Sequence, residues 1–221
     1  MTFSILVRDR ETGAIGGAAA TGSLCVGGWV LRGNLLAGMS ASQGASPSTL
    51  WGEDVLAAMQ GGADAATAVE EITQADAGRA YRQLAALDLE GGTGAFTGKK
   101  NTPEMGSHAF SGGIASGNML AGLGVLEKMA GAFQAASGAL SERLLAALRA
   151  AESAGGDSRG LFSAALLVLH PDRAPLTLRV DYHPDNPIGA LTDLHGRATT
   201  GDYAYWARKV PVLNDRDRGL D

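Results

Sequence analysis

A single cysteine, Cys25, stands in 221 residues. That excludes an intrachain disulfide and fits a reducing cytoplasm, where a lone cysteine is usually a small buried residue. No stretch approaches the ~18 consecutive apolar residues of a membrane span. Residues 1–20 carry Arg8, Asp9, Arg10 and Glu11, which a secretory signal would not tolerate. Acidic and basic residues are interspersed at a net charge of −5, and the longest basic feature is Lys99-Lys100. The basic stripe of a nucleic-acid binder is therefore missing, and neither nucleic acid nor membrane is expected as a partner. The 4 histidines show no zinc-ligand spacing, so no metal is expected. His108 and His195 stand alone, while His170-Pro171-Asp172 and His183-Pro184-Asp185 read as turns. Gly122-Leu123-Gly124 lacks the third glycine of a dinucleotide fingerprint and no P-loop occurs; no cofactor is expected.

What is present is a globular composition: 45% hydrophobic, 19% charged, and 32 glycines without a collagen-like period. Such a chain buries a sizeable core and makes many close backbone contacts. Phe3, Ile5 and Val7 alternate with Thr2, Ser4 and Leu6, which predicts a half-buried strand beginning at the terminus. A polar turn at Asp9–Gly13 leads into a second strand, Ala14–Thr21, built of alanine and glycine where another layer comes close. Trp29–Leu31 and Leu35–Ala37 suggest further strand. Met39–Ser48 is small and polar, and it reads either as the lining of a pocket or, more simply, as a surface loop.

Helices are predicted from Ser48 or Thr49 to Gly61-Gly62 and after Asp64. Strands follow at Tyr81–Asp88 and Gly94–Thr97, with Ala109–Ser116 as a third strand of that group. The helical period returns at Leu123–Ser137 and from Ser141 to Gly155-Gly156. Phe162–Leu169 and Leu176–Val180 are closing strands. In the tail, Tyr203-Ala204-Tyr205-Trp206 is expected to pack and residues 214–221 to be solvent-exposed. Blocks of strands separated by helix pairs disagree with an alternating βαβ fold. They suggest two packed sheets with a helix layer outside each: an α+β fold of one domain, residues 1–221, with 186–221 as a C-terminal extension.

Three places could carry chemistry. Thr2, once Met1 is removed, would present a hydroxyl beside a free α-amine, and that amine titrates near ~8, close to what a general base needs. Read alone, the stretch is more simply an ordinary edge strand. Ser4 is the nearest hydroxyl on the same strand face. Ser116-Gly117-Asn118 reads as a plain turn with Asn118 as helix cap, or as an oxyanion site using the Gly117 N–H and the Asn118 amide. Asp157 and Arg159, in Gly155–Gly160, either pair with each other at a helix stop or hold a substrate's ammonium and carboxylate.

Several stretches together resemble the bacterial domain-of-unknown-function 1028 family. They are Thr2-Phe3-Ser4-Ile5 with Arg8-Asp9, Gln43, Arg82-Gln83, Thr97-Gly98, Gly117–Leu120, Arg143–Leu148, Gly155–Gly160 and Ser163-Ala164-Ala165. They run in order from residue 2 to about residue 185. That family is grouped with the N-terminal-nucleophile (Ntn) hydrolases, so the resemblance implies a four-layer α-β-β-α sandwich. It also implies hydrolysis of an amide bond in a small or peptide-like substrate. Thr2 would be nucleophile and base, Asn118 with Gly117 would hold the oxyanion, and Asp157, Arg159, Gln43 and Ser4 would contact substrate. Relatives in the wider superfamily place a lysine beside the nucleophile; here the early strands have none, and Arg32 is the nearest cation. The alternative is a non-catalytic module of the same fold that binds a small molecule or a protein partner, including a second copy of itself.

Overall fold

In the computed structural model, which describes residues 2–101, 104–122, 124–156 and 160–220, the predicted first strand is β1, Thr2–Arg8. It hairpins into β2, Ile15–Thr21. After a short helix α1, Val26–Trp29, come β3, Leu31–Asn34, and β4, Gly38–Gly44. The helix pair is α2, Thr49–Gln60, and α3, Ala65–Gln74. Four strands follow: β5 (Arg82–Asp88), β6 (Thr93–Thr97), β7 (Gly106–Phe110) and β8 (Gly113–Asn118). The second helix pair is α4, Gly124–Ala135, and α5, Leu140–Ser153. The chain closes with β9 (Ser163–His170), β10 (Arg173–Val180), α6 (Pro187–Thr199) and α7 (Gly201–Ala207).

The described strands form two antiparallel sheets, ordered β10-β9-β2-β1-β8-β7 and β3-β4-β5-β6. The period of two in β1 sorts its side chains cleanly. Phe3, Ile5 and Val7 join a core with Met129, Leu144 and Leu148 of α4 and α5. Leu6 faces the other way, into a second core with Met39, Ala41, Ala85 and Leu87 of the smaller sheet. The smaller sheet's far face, through Leu84 and Ala86, packs on Trp51, Val55 and Val69 of α2 and α3. The two sheets thus lie face to face with helices outside each. Gly16 and Gly17 of β2 are needed because a Cβ there would press on Leu144 on one side and Leu6 and Leu31 on the other.

Four expectations are corrected. Residues 39–44 of the Met39–Ser48 stretch belong to a buried strand paired with β3 and β5, not a surface loop; small side chains suit a strand covered on both faces. The Ala109–Ser116 stretch is a hairpin, β7–β8, that joins β1 in the larger sheet and not β5–β6. Leu35–Ala37 is a turn and Trp29 ends a helix. Tyr203, Tyr205 and Trp206 are turned to solvent at 57%, 58% and 48% exposure. Helix α6, unlike them, contributes Ile188 and Leu191 to the outer core.

Asp64 caps α3 as expected, accepting from the Thr67 N–H at 2.8 Å. Its pKa is lowered chiefly by that backbone bond. Asp64→Ala should therefore weaken the start of α3, read as a lower urea midpoint at unchanged slope.

Candidate functional site

Across the larger sheet, on the face turned to the smaller one, polarity changes sharply from end to end. Strand register aligns Asn118, Thr2, Thr21 and Ser163 in one row across β8, β1, β2 and β9. The next row is Ser107, Ser116, Ser4, Ala19 and Ala165. One step further the row is Ile114, Leu6, Gly17 and Leu167. The facing sheet shows the same gradient: Gln43, Gln83 and Thr97 align, then Ala41, Ala85 and Ala95, then Met39, Leu87 and Thr93. The inter-sheet layer is therefore mainly apolar at one end and hydroxyl- and amide-lined at the other, and Thr2 lies in that polar end.

Gln83 is the hub. Its Nε2 donates to Thr97 Oγ1 at 2.9 Å, Gly106 O at 3.0 Å and Gly117 O at 2.9 Å. Two of those acceptors are carbonyls, so the amide orientation is fixed, and Oε1 must accept. It does so from Gln43 Nε2 at 2.7 Å and Asn118 Nδ2 at 3.3 Å. The order of the network in turn fixes Asn118, whose donor group has one hydrogen engaged and one without a partner among the described residues. Thr2 Oγ1 donates to Thr21 Oγ1 at 3.1 Å. Ser4 Oγ and Gln43 Oε1 are buried and have no hydrogen-bond partner among the described residues. Leaving such groups unpaired costs about 1–3 kcal/mol each, a cost that folded chains carry mainly where function or a bound molecule requires it.

Of the residues singled out in the sequence, Thr2, Ser4, Asn118, Gly117 and Gln43 are brought together here. Asn118 does not cap a helix; it ends β8 opposite Thr2. Gly117 lies between Phe3 and Gly106 in the ladder, and its carbonyl is held by Gln83. Asp157 and Arg159 lie outside the described residues. The flanks of their loop reach the same end: Gly156 O accepts from Ala121 N, and Phe162 N donates to Thr21 O at 2.9 Å. Arg32 is turned away, its guanidinium bonded to Glu53, Leu31 O and Gly28 O.

Thr21 and Gln83 were missed as site residues. Their signal is a phase one: each polar side chain falls on the inward face of a strand whose other inward residues are apolar. Ser163 carries the same signal but is structural; its Oγ donates to Ser23 O and accepts from Val26 N.

A second buried polar pair also escaped sequence reading. His195 Nε2 lies 2.8 Å from Ser141 Oγ, joining α6 to α5. Burial lowers the His195 pKa, with Glu142 opposing and Arg149 reinforcing. The unfolded chain therefore binds more protons than the folded one between the two pKa values. This contribution to stability is present above the unfolded value near ~6.5 and is lost as pH falls through the folded one. A His195→Gln variant should show a flatter decline in melting temperature between pH 7 and pH 5 than the unsubstituted chain.

Among the described residues there is no cluster of three or more His, Cys, Asp or Glu side chains that could hold a metal. None of their helices is long and apolar enough to cross a membrane.

Residues 2–191 match the family of unknown function DUF1028, and the chain belongs to that family. Among solved structures it is similar to the crystal structure of protein SPO2555 from Silicibacter pomeroyi, which carries the same family description. The two share 65% sequence identity at a TM-score of 0.97, over 100% of this chain and 96% of the other. No curated protein matches the chain.

Proposed function

We propose that this is an N-terminal-nucleophile amidohydrolase with the four-layer α-β-β-α sandwich of that superfamily, acting on a small or peptide-like amide. The observation that carries the reading is the position of Thr2. It begins a central strand, faces the space between the sheets, and lies in register with Thr21 and Asn118 at the polar end.

With Met1 removed, the Thr2 α-amine accepts the hydroxyl proton as Oγ attacks the substrate carbonyl. The remaining Asn118 N–H stabilises the oxyanion, and Gln83, bonded to the Gly117 carbonyl, holds that amide in place. The protonated amine then gives its proton to the departing amine. Water, activated by the same α-amine, releases the acid and restores Thr2. Asp157 and Arg159 orient the substrate's charged ends, while Ser4 and Gln43 offer it their free hydrogen-bonding groups.

Intact mass of protein expressed without a tag tests the first requirement. A chain that fully retains Met1 has no free Thr2 amine, and the reading fails. If Met1 is absent, turnover of a panel of small amides should be measurable and should depend on Thr2. No turnover of any panel member by the processed chain would leave the non-catalytic binding module as the better account.

A further inference from the structure

Two cavities lie at the other end of β1, about 20 Å from Thr2 at the rise of a strand. One, of ≈ 750 Å³, is an open cleft between the body and the C-terminal helices; the other, of ≈ 370 Å³, adjoins it and shares His170 and Arg173 with it. The larger has apolar walls from Leu140, Val168, Leu176 and Ala198. Part of it, including Ala198, Arg208 and Arg218, comes from residues beyond the 2–191 family match. It is large enough for a drug-sized molecule.

Its charges are arranged unequally. The chain as a whole is at −5, yet Arg173, Arg208 and Arg218 line this cavity and Arg216 lines its neighbour. The acids there are engaged locally. Asp9 Oδ1 accepts from the Glu11 and Thr12 N–H groups, and its Oδ2 lies 3.9 Å from Arg143. Asp172 Oδ1 accepts from Asn214 at 2.9 Å, and its backbone N–H donates to His170 Nδ1 at 2.9 Å. Arg218 is engaged too: it pairs with Asp215 and donates to the Asp172 and Arg208 carbonyls, bracing the tail over the opening. The guanidinium groups of Arg173 and Arg208, by contrast, have no hydrogen-bond or ion-pair partner among the described residues. Two free planar donor forks at the rim of an apolar chamber are suited to an anionic head on a hydrocarbon body.

We propose that this cavity is a binding site for a small amphipathic anion, a carboxylate or phosphate monoester, held by Arg173 and Arg208 with its apolar part against Leu140, Val168, Leu176 and Ala198. The site is separate from the Thr2 end, and its occupancy does not depend on amide hydrolysis there. Ser141, which lines the cavity, is held to His195 of α6 at 2.8 Å, tying α6 to α5 beside it.

The probes are hexanoate and hexyl phosphate, with hexan-1-ol and hexylammonium as controls, titrated into the full chain by calorimetry. His170 ring resonances followed by NMR report the location. One or both anions should bind saturably at one to one and shift His170, and the Arg173→Gln/Arg208→Gln variant should weaken that binding at least about tenfold. Which anion binds more tightly identifies the head group. The variant changes only exposed side chains and should melt with the unsubstituted chain. Equal binding of hexan-1-ol, equal binding by the double variant, saturation without a His170 shift, or no saturation by either anion would each overturn the proposal.

Discussion

If Thr2 is the proposed nucleophile, replacing it by alanine should lower amide hydrolysis by at least about a thousandfold while leaving the fold intact, because it removes the attacking oxygen and little else. The structural loss is one bond, Thr2 Oγ1 to Thr21 Oγ1. A buried hydrogen bond contributes about 1 kcal/mol net, or about 2–4 °C in melting temperature for a chain of this size. Activity and stability are thus expected to separate by orders of magnitude, which distinguishes a nucleophile from a packing residue. Thr2→Ser keeps both hydroxyl and amine and should remain active within about tenfold. A short N-terminal extension that survives purification keeps the hydroxyl but converts the amine to an amide. If Thr2 is its own base, that protein should be as inactive as Thr2→Ala. Full activity in the extended protein would exclude the α-amine, and full activity in Thr2→Ala would exclude the site. No lysine stands in the early strands to take over as base, so the test has no obvious bypass.

The sheets were legible where side chains alternate, and the site was legible only in part. β1, β5 and β9 carry strong two-residue periods or apolar runs, and α2 to α5 carry helical stripes with caps or glycine stops. β4 was unreadable for a physical reason. Met39, Ser40, Ala41, Ser42 and Gln43 show little contrast between faces because both faces are buried, Ser40 Oγ donating to Gly52 O of α2 at 2.8 Å. Gly38, with φ at +131° and the Leu87 carbonyl where a Cβ would stand, looks like a loop residue but opens that strand. The move of β7–β8 to the other sheet is a matter of long-range pairing. Local pattern predicts that a strand forms, not which neighbour it takes. The meeting of Thr2 with Asn118, and of Asn118 with Gln83, likewise spans 35 residues and more along the chain. It became visible only once register was known. The polar tail was misjudged for the opposite reason: the aromatics of α7 suggested burial that the helix does not provide.

Gln83→Leu should destabilise the chain by about 4 kcal/mol, although leucine matches glutamine closely in volume. The single side chain satisfies two main-chain carbonyls, Gly106 O and Gly117 O, and supplies the acceptor for Gln43 Nε2 and Asn118 Nδ2. Gln83 is fully buried, and Gln43 and Asn118 are 1% exposed, so water is poorly placed to replace it. Leaving several such groups unpaired costs about 1–3 kcal/mol apiece, discounted because the donors can partly re-pair. The expected fall in melting temperature is about 10 °C, with the urea midpoint lowered at unchanged slope. Gln43→Met is the control. Gln43 contributes one bond to the network and carries an unpaired buried Oε1, so removing it relieves one deficit as it creates another. Its cost should stay within about 1 kcal/mol. Below its melting point, Gln83→Leu should also lose kcat with little change in KM, since the Asn118 amide would no longer be aimed where negative charge develops in the transition state. Equal stability of the two variants would mean that the network is not organised through Gln83. Unchanged kcat in folded Gln83→Leu would separate the network from the chemistry of Thr2.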